Sequence, residues 1–228
     1  MARRAAGAGT REHLTRERVV GAALAIADRD GLDGLTMRAL GRELGVDPMA
    51  AYHWFPNKEA ILQGVGEAVL AEIPLARPDP GRRWQDVALE AGRAYRAAML
   101  AHPRAIPIVS TQPVMTPRGF ALIERTLAAL TSGGLAPAAG LETINTIAAF
   151  VIGSVVVEAG VTPGTEPVDR EAISDAYAGV GADDFPLLTA AIGEAMRELS
   201  DDDAQFETAL DALVRGLEAS FRARGIAP

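Results

Sequence analysis

The stretch Gly34-Leu-Thr-Met-Arg-Ala-Leu-Gly-Arg-Glu-Leu-Gly-Val-Asp-Pro-Met-Ala-Ala-Tyr-His-Trp-Phe-Pro-Asn-Lys-Glu-Ala-Ile-Leu62 decides how this chain folds. Thr36 has the hydroxyl of a helix N-cap, and Met37–Leu44 forms a short helix that Gly45 ends. Asp47 followed by Pro48 starts another: the carboxylate accepts orphan backbone N–H groups, and proline is preorganised for the first helical position. That segment, Pro48–Phe55, holds only about two turns before Pro56-Asn57 interrupts it. Asn57 then caps a further helix carrying Ile61, Leu62, Val65, Val69 and Leu70 inward.

Two short helices joined by the three-residue turn Gly45-Val46-Asp47 make a helix-turn-helix, whose second helix enters the major groove of DNA. Small residues at Ala50 and Ala51 permit close approach. Tyr52 and His53 reach sugar–phosphate, and Arg38 offers a bidentate fork to phosphate or to a guanine edge. Lys58, at the capped start of the next helix, sits where an anion is favoured. Trp54 and Phe55 are expected to pack inward, since a two-turn helix cannot turn every aromatic outward.

Working outward, Thr15 caps a helix with Val19, Val20, Ala23, Leu24 and Ala27 at spacings of three and four, which Gly31 closes. Residues 1–12 read as a mobile basic arm, 13–60 as the helix-turn-helix domain, 61–80 as connecting helix and linker, and 81–228 as a separate body. In that body helices are expected at Trp84–Ala101, Arg118–Thr131, Leu141–Ala159, Phe185–Leu199 and Ala204–Arg224. A broken segment lies around Pro103–Pro113, and a loop at Thr162-Pro-Gly-Thr-Glu-Pro. No alternating strand pattern occurs, so the fold class is all-α.

The whole chain has 228 residues and a formal charge of −8. Residues 1–60 carry net +1 and residues 61–228 carry −9, which suits a head that meets a polyanion on an acidic body. Without cysteine there is no disulfide scaffold, zinc finger or thiol nucleophile. The longest apolar run, Ile147–Val157, falls short of the roughly 20 residues of a membrane span. The basic N-terminus has no apolar core behind it. A soluble, cytoplasmic protein is expected, with no membrane partner, no metal and no cofactor.

Thr15–Leu62, and above all the aromatic cluster followed by Pro-Asn-Lys-Glu, closely resembles the DNA-binding domain of the tetracycline-repressor (TetR) family. The resemblance implies a homodimeric transcriptional repressor whose body binds a small molecule and then releases DNA. It would place Thr36 and Arg38 on the DNA from the first helix of the motif. Pro48, Met49, Ala50 and Tyr52 would face the groove, with Lys58 on a phosphate. Where some relatives have polar side chains this chain has Pro48, Met49 and Ala50, so direct readout would lean on apolar contacts, such as thymine methyls, and on Arg38. In the body, Trp84-Gln-Asp, Leu100-Ala-His102, Thr111-Gln-Pro113, Val156-Val-Glu158 and Phe206…Gly216-Leu-Glu218 are similar to landmarks of the C-terminal domain of the tetracycline repressors. The positions matching the histidines of their drug site are Pro74 and Ile108. An imidazole-anchored metal–drug complex is therefore not expected, and the effector should be mostly apolar.

Candidate effector contacts are Tyr95, Met99 and His102 on one helix face and its end, and Thr111, Gln112 and Met115 on the irregular segment. Glu124 and Leu127 join them from the next helix, and Ile144 and Ile147 from the long apolar one. The helices near 141–159 and 204–224 are the candidate dimer face, the first through Ala148, Ala149, Gly153 and Ser154 mixed with Ile152, Val155 and Val156, the second through Phe206, Leu210, Leu213, Leu217 and Phe221. An all-α enzyme or a lipid or acyl carrier using the same cavity is the alternative. No Ser/His/Asp set supports it, and Gly64-x-Gly66 lacks the third glycine of a phosphate loop.

Overall fold

The computed structural model describes residues 14–111, 116–160, 175–176, 179–181, 183–198 and 202–226. The expected arm (1–12), the loop from Thr162, and the candidates Gln112 and Met115 lie outside the described residues. The described elements are helical: α1 (Arg16–Gly34), α2 (Met37–Leu44), a 3-10 segment (Pro48–His53), α3 (Lys58–Ala71), α4 (Trp84–Ala101), a 3-10 turn (Pro103–Ala105), α5 (Ile106–Thr111), α6 (Pro117–Ser132), α7 (Pro137–Glu158), α8 (Pro186–Glu198) and α9 (Asp202–Ala223). The chain divides into two compact units, residues 1–65 and 66–228.

In the first unit the caps form at the residues chosen for them. The backbone N–H of Arg18 donates to Thr15 Oγ1, that of Ala39 to Thr36 Oγ1, that of Met49 to Asp47 Oδ1 and that of Ala60 to Asn57 Oδ1. α1 breaks at Gly31 (φ 74°) but resumes for a last stretch to Gly34, so Gly31 marks a kink rather than the end. Gly45 closes α2 in the left-handed region (φ 66°), where a side chain would be strained. Val19, Val20, Ala23, Ile26, Leu40, Ala51, Phe55 and Ile61 are buried together. The Arg16 guanidinium lies 5.0 Å from the centre of the Phe55 ring, a cation–π contact that covers this core.

In the second unit α4 packs against α6, α7 and α9, and α6 packs against α7. Trp84 is buried with its ring 5.8 Å from that of Phe221, tying the start of α4 to the end of α9. The Arg96 guanidinium binds both carboxylate oxygens of Glu158 and lies 4.7 Å from the Phe206 ring centre, joining α4, α7 and α9.

Two expectations are corrected here. Phe206, Leu210, Leu217 and Phe221 do not form an outward stripe: they are buried in the unit's own core. The large side chains of α9 fill the space against α4, where a Cβ on Gly92 would come 3.0 Å from Leu210. Secondly, α7 begins at Pro137, well before Ile147, and its 22 residues are long and apolar enough to cross a membrane by length and composition alone. Scattered polar residues (Glu142, Thr143, Asn145, Thr146) mask that length in the sequence. In the structure α7 packs against α4, α5, α6 and α9.

Candidate nucleic-acid interface and effector cavity

The helix-turn-helix is held tight at its crossing. A Cβ on Gly41, in the middle of α2, would come within 2.9 Å of the Pro48 backbone. Only glycine allows the two segments this approach, a requirement the sequence signals merely as a glycine inside an eight-residue helix. The second segment is a 3-10 helix rather than the expected α-helix to Phe55. Its side chains three apart therefore line up as ridges. Ala51 turns toward the core and is fully buried, while Pro48 is half-buried with its backbone against Gly41. Met49 and Tyr52 form the outward ridge, 67% and 38% exposed, and His53 is also exposed.

Phe55 packs inward as expected, whereas Trp54 does not. It is 42% exposed, with its ring edge-on to His53 at 5.5 Å, because the 3-10 segment ends at His53 and leaves Trp54 outside its last turn. Thr36, Arg38 and Lys58 are exposed on the same unit. Arg29 is neutralised by Asp30 and Glu43 at 3.1 and 3.2 Å. Arg38 and Lys58 have no ion-pair partner among the described residues. Their charges are thus available to phosphate.

In the second unit a cavity of about 300 Å³ lies among α4, α6 and α7, with Leu70 and Ile73 contributing from its edge. None of its seventeen lining residues is charged. Of the candidates, Tyr95, Ile144 and Ile147 line it. The Thr126 and Thr143 hydroxyls in the wall donate to the Leu122 and Ala139 carbonyls of their own helices. Tyr95 has no such partner among the described residues, and burial pushes its phenol up to about 12. A phenol that can donate, set in an uncharged wall whose other polar side chains are Thr126, Thr143 and Asn145, is an orienting group of such a site.

The remaining described candidates do not line this cavity. Met99 is fully buried one turn beyond Tyr95, where the α4 wall has ended. The His102 ring lies 3.1 Å from a carboxylate oxygen of Glu72 through Nε2. Thr111 is exposed and donates its hydroxyl to the Pro107 carbonyl. Glu124 lies two residues from both Leu122 and Thr126, on the opposite, exposed side of α6. Leu127 packs α6 on α7, 2.7 Å from where a Gly140 Cβ would stand. Sequence reasoning missed Ala88, Ala91, Thr126, Thr143, Asn145 and Ile152. The spacing of three and four from Tyr95 back to Ala88, and that of four and eight from Ile144 to Ala148 and Ile152, was the available signal. A second cavity of about 320 Å³ shares Ile73, Ala91 and Thr126 with the first. Among the described residues no group of three or more His, Asp or Glu side chains could hold a metal ion.

Comparison with known proteins agrees with both units. Residues 19–65 match the family of bacterial regulatory proteins of the tetR type, and residues 77–221 match the tetracyclin repressor-like C-terminal domain. The chain belongs to the tetracycline-repressor family of helix-turn-helix transcriptional regulators. It is 30% identical to an HTH-type transcriptional regulator of Saccharopolyspora erythraea over 211 residues, 92% of this chain and 87% of that one. It is 33% identical to the class A tetracycline repressor from transposon 1721 of Escherichia coli, over 87% of this chain and 88% of that one. The crystal structure of Streptomyces coelicolor ActR in complex with actinorhodin superposes with a TM-score of 0.75 at 31% identity, covering 91% of this chain and 98% of that one.

Proposed function

We propose that the protein is a homodimeric cytoplasmic repressor, without enzymatic activity, that releases a near-palindromic operator when a small, mostly apolar molecule enters the cavity beside Tyr95. The observation that carries this reading is the uncharged cavity with one unpaired phenol, in a chain whose other unit presents Arg38 and Lys58 unpaired on a helix-turn-helix. A charged ligand would lose its hydration there without a partner, whereas an uncharged one with a single hydrogen-bonding group would not. That a similar structure holds actinorhodin supports a small-molecule effector as such.

The dimer is supported by what the second unit leaves uncovered. Leu141, Asn145, Ala149, Gly153 and Val157 recur every four residues on the exposed side of α7, and Ala204, Thr208, Ala212 and Ala219 face outward from α9. Small side chains on two adjoining helices suit close packing against a second copy in a four-helix interface. Two copies would set the recognition segments about one helical turn of DNA apart, or a multiple of it.

Release requires that the effector bind the conformation that does not hold DNA more tightly, since equal affinity shifts nothing. The test is duplex selection from random-sequence DNA, then titration of the recovered duplex at several salt concentrations. Binding should weaken steeply with salt, and small uncharged, mostly apolar compounds should lower it in proportion to their affinity for the protein. A duplex affinity that ignores salt, or compounds that fill the cavity without changing DNA affinity, would count against the regulator reading.

A further inference from the structure

We infer that Met49 reads the C5-methyl group of thymine, so that the operator is recognised at this position through an apolar contact and not a hydrogen bond. The inference rests on the repressor reading above and specifies what its DNA-facing segment recognises.

In a helix-turn-helix the leading residues of the second segment meet the base edges. Here they are Pro48, Met49 and Ala50, none with a side-chain donor and with only the weakly accepting Met49 sulfur between them, so only the main chain could supply a donor. Proline has no N–H. The Met49 N–H is bound to Asp47 Oδ1 at 2.8 Å, and the Ala50 N–H to the Asp47 carbonyl at 2.9 Å. Every donor at the leading end is taken. What remains outward is the Met49 side chain, flexible and polarizable, with two-thirds of its surface in water.

The major-groove edge of DNA has one apolar feature, the thymine methyl; every other recognition group there is a donor or an acceptor. An exposed methionine on a leading end with no free donor therefore discriminates in one direction: it gains by covering a methyl and leaves a polar edge unpaired elsewhere. Tyr52, next on the same ridge, and His53 beside it carry the hydrogen-bonding groups of the segment. Phosphate contact falls to Arg38 and Lys58, whose charges are unpaired.

The test replaces each thymine of a selected operator, one at a time, by deoxyuridine, which removes the methyl and leaves base pairing intact. At least one position per half-site should weaken binding about three- to fivefold, the worth of one buried methyl. Met49→Ala should bind the thymine operator as weakly as the natural chain binds the uracil one and show no further loss on replacement. Met49→Leu should keep the dependence. The inference is overturned if no deoxyuridine weakens binding, if the penalty survives undiminished in Met49→Ala, or if affinity follows a cytosine amino group reaching Asp47 instead. Failure to recover any duplex overturns the repressor reading and this inference together. A duplex that binds but is indifferent to uracil overturns the inference alone.

Discussion

Lys58 and Tyr95 are the two residues whose surroundings translate most directly into measurement. Lys58 is exposed and unpaired, so Lys58→Ala should leave the fold intact while lowering operator affinity at every sequence alike. In a salt titration it should reduce the slope of log affinity against log salt by about 1, the share of one phosphate contact. Tyr95 predicts an alkaline effect. Its buried phenol titrates at about 12, against an unfolded value of about 10. Below pH 10 both states keep the proton and the residue contributes no pH dependence. Between about 10 and 12 the unfolded chain ionises and the folded one resists, so stability falls as pH rises through that window. Tyr95→Phe should lack this part of the loss when urea midpoints are compared across it. The same variant should also bind an effector more weakly, since the wall then has no free hydroxyl.

At the scale of elements, the helix-turn-helix depends on one close approach. Gly41→Ala would drive a Cβ to 2.9 Å from the Pro48 backbone, atoms that cannot rotate away as a side-chain end could. The expected cost is about 1–3 kcal/mol, read as a lower melting temperature and weaker DNA binding together. Melting unchanged from the natural chain would show that the crossing is looser than described. The caps were legible in the sequence because capping is local: Thr15, Thr36, Asp47 and Asn57 each bind a backbone N–H two or three residues on. The outward turn of Trp54 was not legible. It follows from the choice between a 3-10 and an α-helical winding, which shifts a side chain's direction by many degrees over one turn.

For the whole molecule the prediction concerns association. A Cβ on Gly153 meets nothing within 4 Å among the described residues, so Gly153→Arg should be tolerated by the isolated body. If α7 packs against a second copy, the same substitution should shift the species measured by light scattering from dimer to monomer and reduce operator binding with it. A Gly153→Arg protein that remains dimeric would place the interface on another face. The two helices were visible in the sequence, α7 as a long apolar stretch and α9 as an apolar stripe at spacings of three and four, but the faces assigned to them were reversed in part. Phe206, Leu210, Leu217 and Phe221 are core, and the smaller residues are left outside.

The amino-acid sequence was enough to establish the all-α class, the helix-turn-helix and the positions of the long helices in the body, though not α5 within the segment read as broken. These follow from short-range chemistry: caps, a left-handed glycine, proline starts and apolar periodicity, each acting within a few residues. Which side chains of α4, α6 and α7 meet around a cavity was decided by packing. Periodicity names the inward face of a helix but not where along it the neighbouring helix departs. Hence Tyr95 lines the cavity while Met99, one turn on, is sealed in the core, and Glu124 points to water though its neighbours Leu122 and Thr126 do not. Side chains separated by dozens of residues come together only when the helices pack, because burying apolar surface depends on the shape of both partners.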